Sequence, residues 1–212
     1  MIDGTEITQV SSAKFLGVLV DEKLNWKEHI HNVTNKMSKS VGVISKITEY
    51  INRKCLLALY HSLVYPHITY CNIVWGSTYE SNLNCIHLIQ KRFVRIATRS
   101  DRREHSQPLF KELKLLNIYQ INILQICIFI FKFEHLPHEL PLSFRNYFLK
   151  KSQLHGRNTR QTFFHPPLYR TSQGQFSIKY RGVDIWKKYS LTSHKSLLTY
   201  KKTLKQNLLE EN

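Results

Sequence analysis

Lys91, Arg92, Arg95 and Arg99 fall at spacings that put them on one face of a helix. Arg102 and Arg103 carry the charge into the next loop. Between residues 91 and 103 there are six basic residues and one acid, Asp101. Such a stripe has the form needed to follow a phosphate backbone, although a solvated helix face is the plainer explanation for the stripe alone. A second basic cluster runs over residues 150–188, with nine Lys or Arg and only Asp184 against them. It includes Arg157 and Arg160, and Phe163, Phe164, Tyr169, Phe176, Tyr180 and Trp186 are interleaved with it. Arginines among aromatic rings suit single-stranded nucleic acid, where bases stack and guanidinium groups reach phosphates. Phe176 and Trp186 are better read as the core of a small subdomain, while Tyr169 and Tyr180 fit either role.

Acid and metal chemistry finds no comparable constellation. Two-metal nucleotidyl transfer needs clustered carboxylates to hold the ions, and the acids here are scattered. Asp21-Glu22 reads as a solvated turn. His29 and His31, and His135 and His138, lack an acidic or cysteine complement, so they read as surface or capping histidines. No Walker loop, Gly-x-Ser-x-Gly or His-Glu-x-x-His occurs. No catalytic or metal-ligating residue is assigned.

Composition agrees with a polyanion partner. Lys and Arg number 31 against 15 Asp and Glu among 212 residues, a net charge of +16. With 42% hydrophobic residues the chain has enough apolar content to fold. Cys55, Cys71, Cys85 and Cys127 show no Cys-x-x-Cys pair, which points to reduced thiols and a reducing compartment. The first residues lack a secretory signal pattern. The apolar stretch 118–133 is too short and too interrupted to span a bilayer, so no membrane partner is expected. No import signal is visible, and the location, intracellular and either cytoplasmic or nuclear, is left unassigned.

These residues must be positioned by helices. Asp3-Gly4 marks a turn between short β-type runs, and residues 15–20 read as a further short strand. Trp26, Ile30, Val33, Met37, Val41, Ile44 and Ile47 then set a helical period. Asn25 and Glu28 stand at capping-box spacing, and Lys36 and Lys39 lie on the opposite face. Further helices are expected over 53 to about 64, where Pro66 ends or kinks the run, and over 81–98. Pro108 opens a short one. Another runs over 118–133 behind a capping box of Asn117 and Gln120, and the last over 196–209. Residues 67–75 read as a short helix or a buried crossing segment. Residues 176–180 alternate like a strand, after which Gly182 turns the chain into a helix around Trp186.

Ordered blocks of this sequence resemble the reverse transcriptases of jockey-like non-LTR retrotransposons. Ala13-Lys14-Phe15-Leu16-Gly17-Val18-Leu19-Val20-Asp21 is similar to the end of their palm. Leu24-Asn25-Trp26-Lys27-Glu28-His29-Ile30, Leu63-Val64-Tyr65-Pro66-His67-Ile68-Thr69-Tyr70-Cys71 with Val74-Trp75-Gly76, and Leu88-Ile89-Gln90-Lys91-Arg92-Phe93-Val94-Arg95-Ile96 are similar to successive thumb segments. His155 to Arg160 and Phe176 to Trp186 are similar to blocks beyond the thumb. The resemblance implies a mainly α protein: a helical thumb-like bundle, a small N-terminal β-hairpin remnant and a basic α+β C-terminal subdomain. It divides the chain at 1–24, 25–142 and 143–212. It implies that Phe15, Leu16 and Gly17 form the primer-grip turn, and that Lys36, Lys39, Lys91, Arg92, Arg95, Arg99, Arg102, Arg103, Arg157 and Arg160 hold an RNA/DNA template-primer duplex.

The family's catalytic aspartates precede the grip, and only residues 1–12 precede it here. The expectation is therefore a fragment that binds template-primer without catalysing polymerisation by itself. No cofactor is expected for this chain, magnesium belonging to the complete family enzyme, and the missing polymerase domains are a further candidate partner. The alternative is a helical protein–protein interaction module with no nucleic-acid role.

Overall fold

A computed structural model describes residues 9–150, 164–190 and 196–211. The protein is mainly α with a small N-terminal hairpin. Strands β1 (Ser12–Phe15) and β2 (Val18–Asp21) pair antiparallel, with Phe15 opposite Val18. Helices α1 (Lys27–Ile47), α2 (Arg53–Leu63), α3 (Tyr65–Thr69), α4 (Asn72–Trp75), α5 (Glu80–Thr98), α6 (Ser106–Glu112) and α7 (Ile118–His135) follow. Short 3-10 turns and a two-residue ladder, β3 (Leu149–Lys150) with β4 (Phe164–His165), lead to α8 (Ser172–Phe176), α9 (Ile178–Tyr189) and α10 (Leu197–Glu210). The Asp3-Gly4 turn, and Arg157 and Arg160, lie outside the described residues.

Two helices organise the core. The first is α1, which lies along α5. It buries Ile30, Val33, Met37, Val41 and Ile44, the stripe that its three-and-four spacing predicts. The second is α7, whose apolar residues occupy all sides: Ile118, Ile121, Leu124, Ile126, Cys127, Ile130 and Phe131 are all buried. A helix apolar all round needs neighbours all round, and α4, α5, α9 and α10 pack against it. The predicted capping box at its start is present: Asn117 Oδ1 accepts the Gln120 N–H at 3.0 Å, and Gln120 Oε1 accepts the Asn117 N–H at 2.9 Å. Gln120 Nε2 also donates to the Leu208 carbonyl, so the cap ties α10 to α7. Among the described residues all four cysteines are free thiols, and burial pushes the Cys127 thiol up to about 12. No described helix is long and apolar enough to cross a membrane.

The start of α1 departs from expectation. The Asn25–Glu28 capping box does not form, because Trp26 enters the helix at φ 64 with no side-chain cap. Asp21, expected in a solvated turn, is buried instead. Its carboxylate accepts the backbone N–H groups of Lys23 and Asn25 at 3.1 Å and of Trp26 at 2.8 Å. These bonds hold a turn in which Leu24 and Trp26 both adopt the left-handed conformation that L-residues avoid. Asp21→Ala leaves those donors without an acceptor and is expected to lower stability by about 2–3 kcal/mol, read as a shift of the urea midpoint at unchanged slope.

His29 is likewise not a surface residue. It is buried, and its Nδ1 accepts the Leu19 N–H at 3.2 Å while its ring meets the edge of Trp75 at 5.3 Å. It thus fastens β2 to α1.

Residues 176–180 do not form a strand. They end α8 and begin α9, because Gly182, Val183, Trp186 and Tyr189 recur at helical spacing and bury together. That longer pattern outweighs a five-residue alternation. Nor does Gly182 start the helix. It sits inside α9 where a Cβ would come within 3.2 Å of Ile130 and Ile178 side chains, so its lack of a side chain lets α9 approach α7. Trp186 is buried as expected, and Phe176 is half-buried against Tyr79.

Candidate nucleic-acid interface

The basic residues expected on one stripe divide between two hollows. Arg92, Arg95, Arg99 and Arg102 line a cleft of about 950 Å³ between the C-terminal ends of α1 and α5, together with Ser45, Thr48 and Glu49. Lys91, one residue earlier, points to a separate hollow of about 280 Å³ with His87 and His105. Arg103 is exposed beside the cleft. Lys36 and Lys39 are exposed on α1 and lie outside the cleft lining.

The arginine geometry follows from how α5 ends. Buried Leu83, Ile86, Gln90, Phe93, Val94 and Ala97 fix the inner face, so Arg92 and Arg95 are turned outward. The helix closes with the Ser100 N–H donating to the Arg95 carbonyl at 3.0 Å and the Arg99 N–H to the Ile96 carbonyl at 3.2 Å. This is a Schellman ending. It places Arg99 at φ 56, where glycine is the usual residue. The Arg99 guanidinium donates from Nη2 to the Thr48 carbonyl at 3.2 Å, a cation on the C-terminal end of α1. Arg95 Nε donates to the Glu104 carbonyl at 2.9 Å and so braces the loop that carries Arg102. Arg92 and Arg102 make no side-chain hydrogen bond or ion pair among the described residues, and Glu49 is the acid in the lining. The cleft therefore offers guanidinium groups whose charge is largely uncompensated.

The Phe15-Leu16-Gly17 segment is the tip of the hairpin. Leu16 at φ 43 and Gly17 at φ 83 make a two-residue turn with both φ positive. Glycine accepts this freely and leucine does so at a cost of roughly 1–2 kcal/mol. The Tyr70 hydroxyl donates to the Leu16 carbonyl at 2.6 Å and pins the strained turn to the segment joining α3 and α4. Phe15 and Leu16 are 68% and 74% exposed, so a pinned, strained turn presents apolar side chains to solvent.

Burial sets the charge state of several histidines. Desolvation lowers the pKa of His29, His61, His67 and His87, that of His87 to about 4, and lysine neighbours push in the same direction. The folded protein thus binds fewer protons than the unfolded chain below the ordinary histidine range. The stability this contributes is complete above about pH 6.5 and is lost as pH falls toward about 4. The urea midpoint is expected to be lower at pH 5 than at pH 7.5, and His87→Phe to reduce that difference. An unchanged difference in the variant would remove His87 from this account.

Similarity to known proteins bears on what this surface meets. The chain is 25% identical over 122 residues to a probable RNA-directed DNA polymerase from transposon X-element of Drosophila melanogaster. It is 27% identical over 120 residues to the probable enzyme from transposon BS and 28% over 130 to that of mobile element jockey, both of the same organism. The chain is similar to jockey-like RNA-directed DNA polymerases. The matches take in 54–56% of this chain and 13–14% of each relative, so they span about one-seventh of the relatives' length. No protein-family model matches the chain, and no solved structure matches it.

Sequence reasoning found the arginines but not how they divide, since Lys91 and Arg95 are as compatible in spacing as Arg92 and Arg95. It also missed Tyr79 and Glu80, which share a hollow with Phe176, Tyr180 and Arg181. Of that set, Phe176, Tyr180 and Arg181 belong to the basic and aromatic cluster of residues 150–188.

Proposed function

We propose that this chain is a nucleic-acid-holding part of a retrotransposon RNA-directed DNA polymerase, binding the RNA/DNA template-primer duplex through its phosphates. The observation that carries the reading is the cleft of Arg92, Arg95, Arg99 and Arg102, braced by the backbone at the end of α1 and in the loop after α5. Guanidinium forks match phosphate oxygens in pairs, and contact by backbone and shape suits an A-form duplex whose deep groove side chains cannot read. The exposed Phe15-Leu16 tip, held by Tyr70, is the part suited to the primer end. The similarity to the Drosophila polymerases supports the same reading.

Among the described residues no group of three His, Cys, Asp or Glu is placed to hold a metal ion. The reading assigns binding and orientation of the template-primer to this chain.

The test is fluorescence anisotropy with an RNA/DNA heteroduplex across a salt series. Binding should weaken linearly in log–log form, with a slope that counts the phosphates neutralised. Binding that is absent or indifferent to salt would overturn the reading in favour of a protein-interaction module.

A further inference from the structure

The hollow at the start of α5 has a chemistry different from the arginine cleft. It measures about 410 Å³, within the range of small-ligand sites. Its walls come from Tyr79 and Glu80 on one side and Phe176, Tyr180, Arg181 and Asp184 of α8 and α9 on the other. Tyr79 and Phe176 meet edge to face, with ring centroids 4.8 Å apart at 82°.

Two charged groups there stand unused. Arg181 is half-buried, yet its guanidinium has no hydrogen bond or ion pair with any described residue. Desolvation lowers its pKa while the charge of Glu80 raises it, so the two attract across the hollow without meeting. Glu80 is exposed and also without a partner among the described residues, whereas Asp184 is engaged by Lys187 at 2.8 Å. A half-desolvated arginine normally finds an acceptor. Here the acceptor has to come from whatever enters.

We propose that this hollow is a pocket for an unstacked guanine base. Arginine only donates and a carboxylate only accepts, so the occupant must offer acceptors to one side and donors to the other. Guanine does both in one plane. Its O6 and N7 accept a guanidinium fork, and its N1–H and N2–H donate to the two oxygens of a carboxylate. Adenine offers one donor group beside one acceptor and satisfies neither side twice. The aromatic rings supply the faces on which a splayed base stacks. A phosphate is disfavoured, because Glu80 and Asp184 flank the guanidinium with negative charge.

The inference draws on the nucleic-acid reading only for the source of the base, and its test keeps the two apart. Guanosine and adenosine carry no phosphate, so phosphate contacts to the arginine cleft do not enter, and a variant at Glu80 separates this hollow from that cleft. Titration of each into the whole chain at high salt, followed by NMR or calorimetry, is expected to show guanosine binding about tenfold or more tighter, the value of one well-made bidentate contact. Glu80→Gln, at an exposed position without a partner, should keep the fold and abolish that preference. No saturable guanosine binding, equal binding of both nucleosides, or an undiminished preference in Glu80→Gln would each overturn the pocket. None of these results would affect duplex binding through Arg92, Arg95, Arg99 and Arg102.

Discussion

Replacing Arg92, Arg95 and Arg99 together by alanine is expected to weaken binding of an RNA/DNA heteroduplex about 10²-fold, and to reduce the steepness of its salt dependence by about three. The magnitude follows from the openness of the cleft. A charge pair at a solvated surface is worth up to about 1 kcal/mol, and three such contacts make about 3 kcal/mol, or two decades of affinity. The slope is the sharper readout, because it counts released counterions whatever the strength of each contact. The arginines also differ in their other duties. Arg99 holds the Thr48 carbonyl and Arg95 the Glu104 carbonyl, so both support the fold. Arg92 and Arg102 have no such duty among the described residues, and the pair Arg92→Ala with Arg102→Ala should lower affinity without moving the unfolding midpoint. If the folded triple variant binds with the parent's affinity and slope, the cleft is not the phosphate contact.

Gln90→Leu is expected to be the most damaging single change in the core, costing about 3 kcal/mol or more. Gln90 is wholly buried on α5, facing α2 and the start of α7. Its Nε2 donates to the Tyr60 hydroxyl at 2.9 Å and to the Leu116 carbonyl at 3.2 Å, and its Oε1 accepts the Ile118 N–H at 2.8 Å. That last donor belongs to the first turn of α7, where backbone N–H groups have no partner within the helix. Asn117 satisfies a neighbouring donor, and Gln90 satisfies this one from another element. Leucine fills the space but strands the Leu116 carbonyl and the Ile118 N–H in a dry interior. Tyr60→Phe is the control. It removes one partner while Gln90 keeps the others, and should cost about 1 kcal/mol. Urea denaturation of both variants decides the point, and equal, small losses would show that α7 does not depend on Gln90.

The local frame was legible in the sequence. The period of α1, the apolar run of α7 and the Asn117–Gln120 cap are short-range patterns, and short-range patterns act through neighbouring turns of one helix. The basic stripe and the similarity to jockey-like polymerases were legible as well, since both are properties of residue type in order. Tertiary structure decided everything that depends on a partner far away in the chain. Asp21 and His29 became buried acceptors because the hairpin folds against α1, and no local spacing records that approach. Gly182 by residue type suits a turn, but its role is to let α9 touch Ile130 of α7. The alternation at 176–180 yielded to the helical pattern it leads into, because burial against α7 rewards that longer period. The sequence by itself determined a basic, helical chain with similarity to jockey-like RNA-directed DNA polymerases. Which arginines share a cleft, and that Glu80 faces Arg181 across a hollow, followed only from packing, because charge and hydrogen-bonding groups act through space and not along the chain.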